Sequence, residues 1–337
     1  MGASRFAKEG ALEPYMAWVR SVTTKPVVTV GRFTSPDTMV RLIREGALDM
    51  IGAARPSIAD PFLPKKIETE TQLLRLLSNT ALQVDVELLR IDDRPTKNTP
   101  REHLDAFYRD FEQVQDNFYD GFIITGAPLG QIAYEEVNYW ERMKLIMDWS
   151  EAHVTSTIFL CWAAHAAFFH FYGIHRHLRE QKLSGVFLHQ PRSPHHALLR
   201  GFDTEFWVPH SRYAYVRPED VTARPELEIL ADSDEAGIYL VGSRDGRKLF
   251  VTGHPEYDPN TLNDEYHRDS QGGLNPAVPV NYYHAEDPTQ PWRNRWRSHG
   301  CLLFTNWLNY HVYQLTPFNL SDIGSGYFSP AGQRTAD

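Results

Sequence analysis

Cys161 stands where a strand-like stretch meets a helix-like stretch, in the run TSTIFLCWAAHAAFF of residues 155–169. Residues 155–160 are β-branched and apolar, which is typical of a buried strand, and residues 162–169 are rich in alanine and aromatic residues, which favour a helix. A cysteine at this corner would expose its sulfur at the edge of a sheet, near the positive end of a helix dipole. The position suits a nucleophile, but a cysteine buried in the core is the alternative on this stretch alone.

A candidate base and its orienting group follow the apolar residues 248–252, where the chain continues as Gly-His-Pro-Glu. A thiol is a weak nucleophile until a base takes its proton, and the base needs a third group to hold its tautomer. His254 can be that base and Glu256 its orienting carboxylate, because an offset of two residues places both side chains on one side of an extended backbone. Taken alone, the same residues also fit a solvated turn.

A third candidate is the small-residue turn Thr-Gly-Ala-Pro at residues 125–128, which follows the short apolar run 121–125. Such a turn can present backbone N–H groups. Donors from Gly126 and from Trp162 would hold the oxyanion of a tetrahedral intermediate formed at Cys161.

The elements around these candidates predict an α/β fold. Strands and helices alternate along the chain, which predicts a doubly wound, mostly parallel sheet with helices on both faces. The predicted strands are residues 82–91, 121–125 and 155–160, and the predicted helices are residues 68–77, 102–117 and 138–151. Residues 238–241 and 248–252 flank an Asp-Gly turn and predict a hairpin. Open parallel sheets hold their sites beyond the carboxyl ends of the strands, where all three candidates would meet.

Composition narrows the class of protein. The chain has 337 residues with 42% hydrophobic and 23% charged residues, as in ordinary globular proteins. Its net charge of −9 argues against nucleic-acid binding. The longest apolar run is shorter than the roughly 18 residues that a membrane span needs, and the amino terminus lacks a signal-peptide pattern. Two distant cysteines make no disulfide framework, so we expect a cytoplasmic protein in a reducing compartment.

Nine runs, dense and in order from about residue 65 to about residue 320, resemble the homoserine O-succinyltransferase family. They are KKIETE (65–70), LRLLSN (74–79), TGAPLG (125–130), YW (139–140), HVTST (153–157), KLSGV (182–186), PHSRY (209–213), VTGHPEYD (251–258) and WRSHGCLLFTNWLNY (296–310). The resemblance implies a fold like the class I glutamine amidotransferases, and an acyltransferase that makes the homoserine ester used for methionine synthesis. It implies a homodimer as well.

The resemblance also implies roles for the candidates. Cys161 would take the succinyl group from succinyl-CoA as an acyl-enzyme, and CoA would leave. His254, held by Glu256, would then deprotonate the hydroxyl of L-homoserine. No cofactor is implied beyond the CoA thioester, which is a co-substrate.

Further positions carry substrate roles by the same resemblance. Arg268 would pair with the homoserine carboxylate, while Lys182 and Ser211 would touch substrate. Lys65 is a further candidate site residue. Gly130 would leave room for the far carboxylate of a succinyl group, where a glutamate would repel and crowd it, so its presence favours succinyl over acetyl.

Three other features have simpler interpretations. His165, one turn beyond Cys161, is predicted to be a packed helix histidine, with a second base as the alternative. The run HFYGIHRHL has histidines but no partner ligands at a familiar metal spacing, so we predict no metal site. Cys301 lies in an apolar stretch and is predicted to belong to the core.

Residues 1–64 resemble a different family. KPVVTVGR (25–32) and DMIGAARPSIADP (49–61) are similar to the last two βα units of flavin-dependent (β/α)8 barrels of the old yellow enzyme and trimethylamine dehydrogenase type. Only about a quarter of such a barrel is present, so we expect no bound FMN. A fusion explains this better than divergence. The predicted units are residues 1–64, an acyltransferase domain at 65–320 and a tail at 321–337.

Where the two resemblances meet, the chain lacks the first strand that the transferase family places before Pro-Lys-Lys, which is residues 64–66 here. We hypothesise that residues 48–53 partly replace it in the sheet. Four alternatives to succinyl transfer stay open. They are acetyl transfer, a glutaminase, a flavin oxidoreductase and an inactive hybrid.

Overall fold

The computed structural model describes residues 19–23, 27–30, 41–46, 50–52, 63–91 and 107–317. The strands are β1 (Val28–Val30), β2 (Met50–Gly52), β3 (Leu88–Arg90), β4 (Tyr108–Asp110), β5 (Tyr119–Ile124), β6 (Val154–Leu160), β7 (His177–Pro191), β8 (Phe206–Tyr215), β9 (Leu227–Ser233), β10 (Gly237–Ser243) and β11 (Lys248–Val251). The α-helices are α1 (Leu63–Leu77), α2 (Phe111–Val114), α3 (Trp140–His153), α4 (Trp162–Tyr172), α5 (Pro218–Thr222), α6 (Thr261–Gln271) and α7 (Arg297–Asn306). Short 3-10 helices cover Val19–Val22, Tyr134–Glu136, Ala197–Leu199 and His284–Glu286, and a π-helix, Trp307–Tyr313, continues α7. None of the helices in these ranges has the length and apolar character to cross a membrane.

A seven-stranded sheet in the order β5-β6-β11-β10-β9-β7-β8 forms the centre of the molecule. β5 and β11 flank β6 and run parallel to it, whereas the remaining neighbours pair antiparallel. The predicted α/β class and the β10–β11 hairpin are confirmed, but the sheet is mixed rather than mostly parallel, because two of its six strand pairings are parallel. The parallel part is confined to the three strands that precede the candidate site, so their carboxyl ends share one edge of the sheet.

Helices cover both faces of this sheet, because successive side chains of its strands point to opposite sides. In β6, Phe159 joins a core cluster with residues of α3 and α4, while Ile158 and Leu160 join a second cluster with residues of α1 and α7. The second cluster includes Trp307 of the π-helix. Cys301, predicted for the core, is only half-buried at the margin of that cluster.

Two stretches differ from the sequence-based prediction. Of the predicted strand 82–91, only Leu88–Arg90 is a strand, and residues 83–87 form no regular structure. The predicted helix 102–117 is only partly present in its described part: Phe111–Val114 is helical, but Tyr108–Asp110 is a strand that pairs in parallel with β3. Arg90 and Asp110 form an ion pair across these two strands, which favours the extended pairing over a helix.

The N-terminal strands lie apart from the main sheet. β1 and β2 pair in parallel with each other, and within the described residues β2 joins no strand of the seven-stranded sheet. The hypothesis that residues 48–53 replace the missing strand is therefore wrong. A parallel pair needs a connection long enough to cross over, and the 19 residues between β1 and β2 are long enough for these two strands to pair with each other. Among the described residues between β1 and β2, residues 41–44 are helical. The tail 321–337 lies outside the described residues.

Candidate active site

Cys161 occupies a sharp corner between β6 and α4. Its φ of 51° lies in the left-handed region that a residue with a Cβ rarely adopts, so the corner is strained. The backbone N–H of Cys161 donates to the carbonyl of Val251 at 2.7 Å, which fixes the corner to the end of the parallel strand β11. The strain is maintained by the sheet on one side of the corner and the helix on the other.

The turn after β5 packs directly against this corner. A Cβ added to Gly126 would lie 3.1 Å from the Cβ of Cys161 and 3.2 Å from the backbone nitrogen of Trp162. Only glycine permits this approach. Trp162 begins α4, so its N–H belongs to the first turn, where helix donors have no partner within the helix. The two predicted oxyanion donors, Gly126 and Trp162, are thus brought to one side of Cys161.

His254 and Glu256 are joined in the arrangement that their spacing predicts. The Nδ1 atom of His254 is 2.7 Å from Oε1 of Glu256, and both side chains are buried. Because Nδ1 faces the carboxylate, the neutral ring carries its proton there and leaves Nε2 as the basic atom. The ring of Tyr257 stacks on the imidazole at 4.2 Å between centroids, which fixes the ring plane.

Electrostatics couple His254 to Cys161. Burial alone would lower the pKa of His254, but the charges of Cys161 and Glu256 and hydrogen bonding to both hold it well above its ordinary value. The direction of this shift means that the imidazole is protonated at neutral pH when the sulfur is an anion. The site can therefore hold a thiolate and an imidazolium side by side.

The loop that carries His254 is held from two sides. Gly300 in α7 packs against it so closely that an added Cβ would lie 2.5 Å from the carbonyl oxygen of Pro255. From α1, Arg75 donates to the carbonyl of Glu256 at 2.8 Å and pairs with Asp258 at 3.1 Å. Helix α1 therefore positions the orienting carboxylate through its backbone.

Replacing Arg75 by glutamine is expected to lower kcat about tenfold with little change in KM, because the charged bond to the Glu256 carbonyl and the ion pair with Asp258 are both lost. Steady-state kinetics of the proposed acyl transfer measure this. The matched control is Arg297→Gln, since Arg297 approaches the same Asp258 only at 3.8 Å and from an exposed position. Equal effects of the two substitutions would contradict a positioning role for Arg75.

The predicted substrate residues gather around a buried carboxylate, Glu265 of α6. Ser211 donates to Oε2 of Glu265, and Nζ of Lys182 lies 3.5 Å from the same oxygen. Tyr257 donates its hydroxyl to Oε1 at 2.9 Å. Burial and the charges of Glu265 and Glu256 raise the pKa of Tyr257 well above its ordinary value, so this hydroxyl remains protonated. Through Tyr257, the cluster reaches the His254 ring.

Asp269 extends this cluster to the surface. It pairs with Lys182 at 3.1 Å and accepts two hydrogen bonds from Arg268, which is exposed. Sequence reasoning missed Glu265 and Asp269. Both lie on the helix that carries Arg268, at offsets of three and one, so the i, i+3 spacing on a polar helix would have found Glu265.

Three further candidates have mixed outcomes. Gly130 lies in the turn after Gly126, and no atom lies within 4 Å of a Cβ added there. His165 is buried, which confirms the packed-histidine interpretation; burial and the charges of Arg212 and Arg176 lower its pKa to about 3. Lys65 lies in α1, but its side chain is outside the described part of the chain.

Comparison with models of protein families assigns the chain to a family. A family model described as homoserine O-succinyltransferase matches residues 61–318. The chain belongs to the homoserine O-succinyltransferase family. This membership confirms the resemblance predicted for residues 65–320 and the predicted enzyme class, an acyltransferase.

Individual relatives agree with the family model. The chain is 60% identical to a homoserine O-succinyltransferase of Shewanella amazonensis over 263 residues, which are 78% of this chain and 83% of the relative. It is 61% identical to the protein of that name from Shewanella sp. strain MR-4 over 261 residues, 77% of this chain and 83% of the relative. Among solved structures, a glutamine amidotransferase of Thermotoga maritima matches with 10% identity and a TM-score of 0.45, covering 67% of this chain and 98% of that one.

The N-terminal segment matches a second family. A model described as the NADH:flavin oxidoreductase / NADH oxidase family matches residues 3–73, which confirms the resemblance predicted for residues 1–64. The two matches overlap at residues 61–73. Much of this overlap lies in the continuous helix α1.

Proposed function

We propose that this protein transfers a succinyl group from succinyl-CoA to L-homoserine through an acyl-enzyme at Cys161. The observation that carries the proposal is the Cys161–His254–Glu256 arrangement at one sheet edge, in a member of this family. The product would be the activated homoserine ester used for methionine synthesis.

In the first half-reaction, the Cys161 thiolate attacks the thioester carbonyl of succinyl-CoA. The N–H groups of Trp162 and the Gly126 turn would bear the charge of the tetrahedral oxyanion. The new C–S bond to Cys161 forms, the C–S bond to CoA breaks, and the imidazolium of His254 gives its proton to the departing CoA sulfur. This step leaves an acyl-enzyme beside a neutral His254.

The loss of the thiolate charge prepares the second half-reaction. The charge on Cys161 is one of the causes that raise the pKa of His254, so acylation removes a force that favours the imidazolium. The neutral ring can then take the hydroxyl proton of homoserine as the oxygen attacks the acyl carbon. The C–O bond forms, the acyl C–S bond breaks, and the thiolate–imidazolium pair is restored.

The acceptor would bind at the cluster around Glu265. Exposed Arg268 supplies a guanidinium for the homoserine carboxylate, and the carboxylates of Glu265 and Asp269 lie nearby. The connection from Glu265 through Tyr257 to the His254 ring supports an acceptor site next to the proposed base.

The acyl group would be chosen at Gly130. Replacing Gly130 by glutamate is expected to lower the ratio of kcat/KM for succinyl-CoA to that for acetyl-CoA about 10- to 100-fold, because the new carboxylate repels the far carboxylate of succinyl. No atom lies within 4 Å of a Cβ added at this position, so the first atom of the new side chain meets no clash. Steady-state assays with the two donors measure the ratio.

Gly130→Gln is the matched control, because glutamine has the size of glutamate without its charge. If both variants change the ratio equally, crowding rather than charge determines the choice of acyl group.

Mass spectrometry of the intact protein and of its peptides tests the proposed function. Mixing the purified protein with succinyl-CoA should add one succinyl group to the peptide that contains Cys161, and L-homoserine should discharge it. L-serine, which has a shorter side chain, serves as the control acceptor. An unmodified protein, or an adduct that homoserine leaves in place, would contradict the proposal.

A further inference from the structure

Arg176 lies beside the turn that carries Gly130. It belongs to the segment between α4 and β7, and its guanidinium donates to the carbonyls of Leu129, at 3.4 Å, and of Ile132. These two carbonyls flank Gly130 in the chain. The same guanidinium lies over the ring of Tyr134, 4.2 Å from the centroid. The charge is therefore held against the turn that contains Gly130.

Ring contacts connect this charge to the proposed nucleophile. The Tyr134 ring lies 6.1 Å from the ring of Trp162, the residue that follows Cys161. Arg176 also acts on the next turn of α4, because its charge is one of the causes that lower the pKa of His165, after burial and Arg212. Arg176 is thus close to the first turns of the helix that Cys161 begins.

We propose that Arg176 binds the far carboxylate of the acyl group, with Gly130 leaving the space that this carboxylate occupies. The inference rests on the proposed acyl transfer and adds the residue that selects a dicarboxylic acyl donor. A guanidinium has five N–H donors, so its bonds to two carbonyls leave donors for a carboxylate. Its planar geometry matches the two oxygens of that partner.

The stacking on Tyr134 reduces the conformational entropy that Arg176 would lose on binding the carboxylate. A long side chain that is already fixed by a ring and two carbonyls loses little freedom when it binds a ligand. Arg176 is half-buried, so water screens its charge less than it would on the open surface. An acetyl group has no carboxylate and would gain nothing from this arrangement.

The test compares succinyl-CoA with acetyl-CoA in the wild type and in Arg176→Gln. We expect kcat/KM for succinyl-CoA to fall about 10- to 100-fold, and kcat/KM for acetyl-CoA to stay within about twofold, since one charged hydrogen-bonded pair is lost. Arg176→Lys should recover part of the succinyl rate, because it keeps the charge without the planar fork. Arg200→Gln is the matched control, since Arg200 also lies over a tyrosine ring, that of Tyr310, away from the Gly130 turn.

The outcomes separate the inference from the proposed function. Equal losses with both donors in Arg176→Gln would show that Arg176 only holds the turn, and would overturn the inference. Values of kcat/KM that stay unchanged with both donors in Arg176→Gln would overturn the inference too. If the wild type releases CoA from neither donor in the presence of homoserine, the proposed function itself fails, and the inference fails with it.

Discussion

Replacing Cys161 by alanine is expected to lower turnover with succinyl-CoA and homoserine by about 10⁴-fold or more, because no other group can form the acyl-enzyme. The same variant should show no succinyl adduct by mass spectrometry. Alanine keeps a Cβ at the left-handed corner, so the backbone conformation and its strain are left as they are. A melting curve close to that of the wild type would show that the loss is chemical.

The second cysteine supplies the control for this experiment. Cys301 is half-buried in α7, and the sheet edge that holds the candidate site does not include it. Cys301→Ala should therefore keep both turnover and the adduct. An adduct that persists in Cys161→Ala and disappears in Cys301→Ala would show that Cys301 is the nucleophile and would overturn the mechanism.

The parallel half of the sheet was predictable from sequence because its signals are local. A β-branched run ending in Cys161, and an apolar run followed by His254, each mark a strand and its carboxyl end. The pairing of β6 with both β5 and β11 then brings these ends together. The Nδ1–carboxylate bond at 2.7 Å followed from an offset of two residues. Elements whose signal is local were placed correctly.

The parts that failed depend on pairing between distant segments. Residues 82–91 have the apolar pattern of a long strand, but only three of them have a partner, in β4. No local signal in Tyr108–Asp110 shows that this stretch would pair rather than continue a helix. β2 has strand propensity as predicted, but its partner is β1. Propensity indicates that a strand forms, and only tertiary contacts determine which strand it joins.

The site shows the same limit. Arg75 lies 181 positions before Glu256, and its bond to that backbone carbonyl depends on how α1 packs. The proposed role of Arg176 could not be predicted from the sequence either, since it depends on contacts with the carbonyls of Leu129 and Ile132 rather than on a motif around Arg176. Residues that act through backbone atoms of distant loops leave no spacing pattern in the sequence.

Replacing Glu256 by glutamine is expected to lower kcat/KM about 10²- to 10⁴-fold, because a neutral amide no longer stabilises the protonated form of His254. Glutamine has nearly the same shape, so its carbonyl can still accept from Nδ1. The charge alone is removed. Glu228→Gln is the matched control, since Glu228 is a hydrogen-bonded carboxylate of β9 that bonds Ser193 and Arg244 instead of the histidine.

The pH dependence of Cys161 alkylation by iodoacetamide isolates the electrostatic part of this effect. In the wild type, the charges of Cys161 and Glu256 hold the pKa of His254 high against the opposing effect of burial, so an imidazolium lies beside the sulfur. Without the Glu256 charge the pKa of His254 falls, so the imidazolium that favours an adjacent thiolate is lost at a lower pH. The rise in alkylation rate should therefore move to higher pH in Glu256→Gln and stay in place in Glu228→Gln. A curve that stays in place in both variants would mean that Glu256 does not act on the sulfur through His254.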